Sequence, residues 1–72
     1  MPMNLLLNGE PCDLEPTPDP ACLEQVVMAL GHNPKLVVVE HNGVIVPKSR
    51  WQNTTVEAGD SLEIVTIVGG GS

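Results

Sequence analysis

Aromatic residues are almost absent from this sequence. It has no phenylalanine and no tyrosine, and Trp51 is its single aromatic side chain. The hydrophobic fraction is still 42%, so the core must be aliphatic, and its β-branched residues favour strands. Long apolar runs are also missing, since none approaches the ~20 residues that cross a bilayer. A chain of 72 residues is enough for one small domain.

Basic residues are scarce as well. Lys35, Lys48 and Arg50 stand against nine acidic residues, which gives a formal net charge of −6 at pH 7. A phosphate backbone would be repelled, so nucleic-acid binding is not expected. The acidity fits a basic partner surface as well as it fits simple solubility, and composition leaves both interpretations open.

Cysteine and histidine form no recognisable reactive or metal-binding pattern. Cys12 and Cys22 have no zinc-ligand spacing. Because the sequence also shows no signal peptide, we expect two free thiols and a cytoplasmic location. His32 and His41 flank turn signals without a partner pattern, so they are interpreted as ordinary loop residues.

The first residues predict a β-hairpin. Residues 3–7 form an apolar run that leads into Asn8-Gly9, a strong signal for a two-residue turn. Residues 10–14 are a weak return strand, and Pro11 favours an edge position for it.

A helix follows a proline-rich segment at residues 15–20. Asp19 is placed to cap its free N–H groups, and Pro20 suits its first position. One apolar stripe runs along the helix with i, i+3, i+4, i+7 spacing, made of Leu23, Val26, Val27 and Leu30. Gly31 is expected to end the helix in a left-handed conformation.

The second half of the sequence predicts more strands. Residues 36–39 and 44–46 flank a second Asn-Gly turn, residues 48–53 have room for one helical turn, and residues 54–56 form a short extended segment. The last and longest strand is predicted at residues 62–68.

The predicted order is β-β-α-β-β-β with a single helix, which must cover one face of a sheet. This is the α+β, ubiquitin-like β-grasp arrangement, with four to five strands in a mixed sheet and the last strand beside the first hairpin. We predict a domain at residues 1–68 and a flexible glycine-rich tail at residues 69–72.

The tail allows two interpretations. Four extended residues reach roughly 14 Å, so Gly69-Gly70-Gly71-Ser72 forms a narrow arm that can enter another protein's active site. Alternatively, the tail is a frayed or engineered terminus, since glycine and serine strings are common in such segments.

Three motifs together resemble one family. Residues 42–51 fit the pattern N-x-x-x-V-P-[RK]-x-x-W, residues 7–10 read Leu-Asn-Gly-Glu, and Gly59-Asp60 precedes an apolar strand with terminal glycines. Over nearly the whole chain the sequence is similar to the ThiS family of thiamin-pathway sulfur carriers.

The resemblance implies a protein cosubstrate rather than an enzyme. An E1-like adenylating enzyme (ThiF) would use ATP to activate the C-terminal carboxylate, a sulfur donor protein would help to convert it to a thiocarboxylate, and thiazole synthase (ThiG) would take the sulfur. Gly71, with Gly70 beside it, is then the reacting end if Ser72 is absent or removed. Ser72 departs from the family, which ends at glycine. Three explanations stay open: the serine is an engineered addition, it is trimmed in the cell, or this chain is not charged with sulfur. The carrier binds no cofactor and is expected to be a monomer when free.

We also predict partner-binding residues. Ile67, Val68 and Gly69 lead into the reacting end. Val39 is assigned to the sheet face opposite the helix, together with Val37 and alternate residues of the last strand, unless the proline-rich segment covers that face. Four acidic residues are candidates for pairing with basic partners: Glu40, Glu57, Asp60 and Glu63.

Two further points stay open. Trp51 either anchors a partner or seals the edge of the core. The same tail chemistry on the same fold also occurs in the small subunit of molybdopterin synthase (MoaD-like), and a plain ubiquitin-like interaction module is a third alternative.

Overall fold

The computed structural model describes residues 2–67, which form a five-stranded mixed sheet with one α-helix. The strands are β1 (Met3–Leu7), β2 (Glu10–Leu14), β3 (Val37–His41), β4 (Val44–Ile45) and β5 (Ser61–Thr66), and the helix is α1 (Leu23–Ala29). Two 3-10 helices span Pro34–Leu36 and Lys48–Asn53. The predicted fold class and element order are confirmed, whereas the predicted tail at 69–72 lies outside the described residues.

The strand order in the sheet is β2-β1-β5-β3-β4. β5 therefore occupies the centre, parallel to β1 and antiparallel to β3. β2 is an edge strand, as its proline predicted. The strand that leads toward the C-terminal residues is thus held by β1 at its start and by β3 up to Thr66.

Both Asn-Gly pairs form the predicted turns. φ is 52° at Asn8 and 84° at Gly9, and 53° at Asn42 and 87° at Gly43. Positive φ at both central residues is the type I′ geometry, whose twist matches that of antiparallel strands.

The helix starts later than predicted. Cys22 is its N-cap, with an extended backbone and no side-chain cap, so the assignment of Asp19 as cap and Pro20 as first residue is wrong. The reason is long-range pairing: the Leu23 N–H donates to the Thr54 carbonyl at 2.8 Å, which keeps the preceding chain extended.

The end of the helix agrees with the prediction. Gly31 has a φ of 89°, and its N–H donates to the Met28 carbonyl at 3.0 Å. The His32 N–H donates to the Val27 carbonyl at 3.2 Å, which completes a Schellman motif.

The core lies between α1 and one face of the sheet. It is aliphatic apart from Trp51, and its buried members are Leu5, Leu14, Leu23, Val26, Val27, Val37, Val39, Trp51, Val56, Leu62 and Ile64. Both cysteines are free and half-buried. Within residues 2–67, no helix is long and apolar enough to span a membrane.

Candidate functional site

The candidate site is the end of β5 together with the sheet surface around it. On one side, β5 pairs in parallel with β1 through Leu6↔Ser61 and Leu7↔Leu62. On the other side, all of β3 pairs with it, from Val37↔Thr66 to His41↔Leu62. Whatever follows Ile67 in the chain therefore starts from a fixed base.

Asn8 extends the support of β5 after β1 has turned away. Its amide nitrogen donates to the Ile64 carbonyl at 3.2 Å, and its amide oxygen accepts from the Ile64 N–H at 2.7 Å. Its own N–H donates to the Leu62 carbonyl at 2.8 Å. A single side chain thus takes the place of one further residue of β1.

Asn42 likewise forms hydrogen bonds to the backbone of β5, at the start of the strand. Its N–H donates to the Ser61 carbonyl at 2.8 Å, and its amide oxygen accepts from the Ser61 N–H at 2.8 Å. The Asn-Gly pattern predicts both asparagines as turn residues, but it gives no sign of these bonds because their partners lie far away in sequence.

Asp60 orders the turn that precedes β5. Its carboxylate accepts from the Glu57 N–H at 2.9 Å and lies 2.7 Å from Nε2 of His41. Burial by itself raises the pKa of Asp60. The hydrogen bonds from Glu57, His41 and Asn42 and the charge of His41 outweigh it, so the pKa lies below its usual value.

His41 therefore has a partner, contrary to the interpretation of it as an ordinary loop residue. Both side chains of the pair are mostly shielded, with 17% exposed on each. The pair joins the end of β3 to the turn before β5. Because His41 and Asp60 are 19 residues apart, no local pattern could have indicated it.

Val37 and Val39 were predicted on the sheet face opposite the helix, and this prediction is wrong: the residues of β3 on that face are shifted by one position. Val37 and Val39 are 2% and 0% exposed and face α1, so Val39 is not available at the surface. Val38 and Val65, which are paired across β3 and β5, lie on the opposite side and are 39% and 62% exposed. Side chains alternate along a strand, so a shift of one residue exchanges the two faces.

We call the side of the sheet opposite α1 the outer face. Its exposed apolar side chains are Leu6, Val38, Ile45 and Val65. Their exposure shows that, within residues 2–67, the proline-rich segment does not cover this face.

The outer face is acidic around its apolar residues. Glu40 and Glu63 are opposite each other in the register of β3 and β5. The three basic residues of the chain lie instead in the two 3-10 helices: Lys35 in the first, Lys48 and Arg50 in the second. This separation of charge favours a basic partner surface.

Trp51 belongs to the core. It is 2% exposed, and its indole N–H donates to the Val46 carbonyl at 2.8 Å. This confirms the core-sealing alternative. Trp51 also lines an open groove of about 340 Å³ beside α1, together with Lys35 and Lys48. A partner-binding role for Trp51 stays a prediction.

Of the residues predicted in the tail region, the structure describes only Ile67. Its N–H donates to the Leu36 carbonyl at 2.6 Å, and its side chain is exposed. Val68, Gly69, Gly70 and Gly71 lie outside the described residues. Among residues 2–67, no cluster of three or more histidine, cysteine, aspartate or glutamate side chains is arranged to hold a metal ion.

Fold and site together define a small β-grasp protein whose central strand leads into its C-terminal residues. The sequence model of the ThiS family matches residues 5–71. The chain therefore belongs to the ThiS family.

Solved and curated proteins agree with this assignment. The crystal structure of the thiamine biosynthesis protein ThiS from Geobacter metallireducens has a TM-score of 0.78 and 31% identity, covering 96% of this chain and 100% of that one. The uncharacterized protein ycf40 of Pyropia yezoensis is 33% identical over 96% of this chain and 93% of its own length.

A third kind of relative is much longer. Thiazole synthase from Paramagnetospirillum magneticum is 40% identical over 70 residues, which are 97% of this chain but 21% of that protein. Thiazole synthase from Magnetococcus marinus is 35% identical over 20% of its length. The chain thus spans about a fifth of these relatives.

Proposed function

We propose that this protein is a sulfur carrier of thiamin biosynthesis, whose C-terminal glycine is adenylated, converted to a thiocarboxylate and used as the sulfur source for the thiazole ring. The match of the ThiS family to residues 5–71 is the observation that carries this proposal. That range includes Gly71 and leaves out Ser72, which supports Gly71 as the working terminus.

The chemistry requires activation, because a carboxylate is a poor acyl donor. In the first step, a carboxylate oxygen attacks the α-phosphorus of ATP and releases pyrophosphate, which leaves an acyl adenylate. In the second step, sulfide (HS⁻) supplied by a donor attacks the acyl carbon, and AMP departs as the leaving group. The product is a thiocarboxylate.

The protein's own contribution to this chemistry is positioning. Approach of a carboxylate to a phosphate inside a closed active site depends on alignment. Gly71 and its neighbour Gly70 have no Cβ to obstruct that approach. The ordered base at Ile67 fixes where the reacting end begins. On this proposal the carrier is a substrate of an E1-like, ThiF-like enzyme, which uses the ATP, and is not itself a catalyst.

The outer face is the proposed docking surface for the enzymes. It combines exposed Val38 and Val65 with the acidic pair Glu40 and Glu63, and it adjoins the end of β5. Partial matches to two thiazole synthases support a ThiG-like partner, since segments joined in one chain commonly act together.

Adenylation of defined termini tests the proposal. Chains ending at Gly71 and at Ser72 are incubated with ATP and the ThiF-like enzyme from the same organism, and pyrophosphate exchange is measured. We expect exchange for the Gly71 form and little for the Ser72 form. Equal exchange for both contradicts Gly71 as the required terminus, and none for either contradicts the carrier function.

Sulfur transfer tests the pathway. After addition of a sulfur donor, the intact mass of the Gly71 form is expected to rise by the difference between sulfur and oxygen. Thiazole synthase should then consume this species. Consumption by a molybdopterin synthase instead would favour the MoaD-like alternative.

A further inference from the structure

The backbone of β5 divides its hydrogen bonds between two sides. Successive residues of a strand direct their N–H and C=O groups alternately to opposite neighbours. Leu62 and Ile64 bond to Asn8 on the side of β1, whereas Ile67 bonds to Leu36 on the side of β3.

Thr66 follows the same alternation and directs its backbone groups toward the side of β1. There, β1 has ended at Leu7, and the Asn8 amide reaches no further than Ile64. In the part of the chain that the structure describes, no strand continues the sheet beside Thr66. Its N–H and C=O thus form an open edge above the first hairpin.

The residues around this edge are exposed and apolar. Val65 and Ile67 flank Thr66, and neither is buried. Val65 belongs to the outer face, so the edge and the proposed docking surface are continuous. An open strand edge beside apolar side chains is the arrangement to which an extended segment adds as a further strand.

We propose that the Thr66 edge of β5 is a strand-addition site for an extended segment of the thiazole-forming partner, an inference that rests on the proposed function. The segment bonds to the Thr66 N–H and C=O and continues the sheet past Asn8. It presents an apolar side chain to Val65. Strand addition would align the chain that follows Ile67 with the partner's active site.

Charge identifies the kind of segment. Glu63 precedes Thr66 by three residues on the same strand and lies on the outer face, where Glu40 of β3 is its cross-strand partner. The strands β1 to β5 contain no lysine or arginine. A segment with a basic side chain is therefore attracted, whereas a second copy of this chain, with its net charge of −6, is repelled.

Amide hydrogen exchange, measured by NMR on the full chain with and without thiazole synthase, tests the proposal directly. In the free protein, the Thr66 amide should exchange quickly and the Ile64 amide slowly, because only the latter is bonded. In the complex, exchange at Thr66 should slow at least tenfold. A complex that leaves Thr66 exchange unchanged overturns strand addition but not the carrier function. Absence of any complex overturns both.

A pair of substitutions gives a second measurement. Thr66→Pro removes the N–H at a position that makes no bond to β3, and loss of one hydrogen bond should weaken binding by roughly three- to tenfold. Thr66→Val keeps the N–H, so this control variant should bind as tightly as the unchanged protein. Equal affinities for both variants overturn the proposal, provided that urea unfolding shows both to be folded.

Discussion

The side-chain amide of Asn8 pairs with the backbone of Ile64 through two hydrogen bonds, although the residues are 56 positions apart. Asn8 also has a positive φ, which the turn requires. One residue thereby closes the first hairpin and secures the strand that leads to the reacting end.

Substitutions at Asn8 should separate these two tasks. Asn8→Gly accepts the positive φ but loses both bonds to Ile64, and we expect a loss of about 1–2 kcal/mol in the free energy of unfolding. Asn8→Ala must also adopt the left-handed conformation with a Cβ atom, which should lower the free energy of unfolding by about 1 kcal/mol more. Urea unfolding followed by circular dichroism measures both. Equal stability of Asn8→Gly and the unchanged protein would show that the amide bonds contribute nothing.

Asp60 should make the free energy of unfolding decrease as the pH falls. Its pKa in the folded protein lies below the usual 3.8, so folding favours the ionised form. The contribution is fully present above about pH 4 and is lost as the pH falls through the lower, folded-state pKa. Asp60→Asn should therefore be less stable at neutral pH, and the difference should shrink in acid.

The measurement is chemical unfolding of both proteins at several pH values between about 6 and about 2. Asp19→Asn is the matched control, because Asp19 is exposed and has no hydrogen bond among the described residues. A difference for Asp60→Asn that stays constant across this range would contradict the assigned role.

Trp51 should matter for folding more than for binding. Trp51→Phe removes the bond to the Val46 carbonyl and leaves unfilled space in the core, which should cost about 2–3 kcal/mol. Affinity for the adenylating enzyme should change less than twofold under conditions where the variant is folded. A large loss of affinity with unchanged stability would instead assign Trp51 to the interface.

The outer face should carry partner binding. Val65→Asp places a charge among its apolar residues and should reduce affinity for the adenylating enzyme about tenfold or more, with little effect on stability. Val44→Asp is the control, because Val44 is exposed to a similar degree, 65% against 62% for Val65, but lies at the β3–β4 turn. Titration of the enzyme with each variant, followed calorimetrically, compares them. Equal losses would show a general charge effect.

Features that depend on neighbouring residues could be predicted from the amino-acid sequence. The Asn-Gly pairs fixed two turns, because few residues accept positive φ. The spacing of Leu23, Val26 and Val27 fixed the buried side of the helix, and Gly31 fixed its end. The order of elements and the motifs around Trp51 were sufficient for fold and family.

Tertiary structure alone decided the features that depend on distant partners. Pairing of Leu23 with Thr54 moved the start of the helix, and the register of β3 against β5 placed Val38, not Val39, on the outer face. Residues 36–39 are apolar throughout, so alternation gave no sign of which side is buried. The bonds from Asn8 to Ile64 and from His41 to Asp60 likewise exist only because the sheet brings separate segments together.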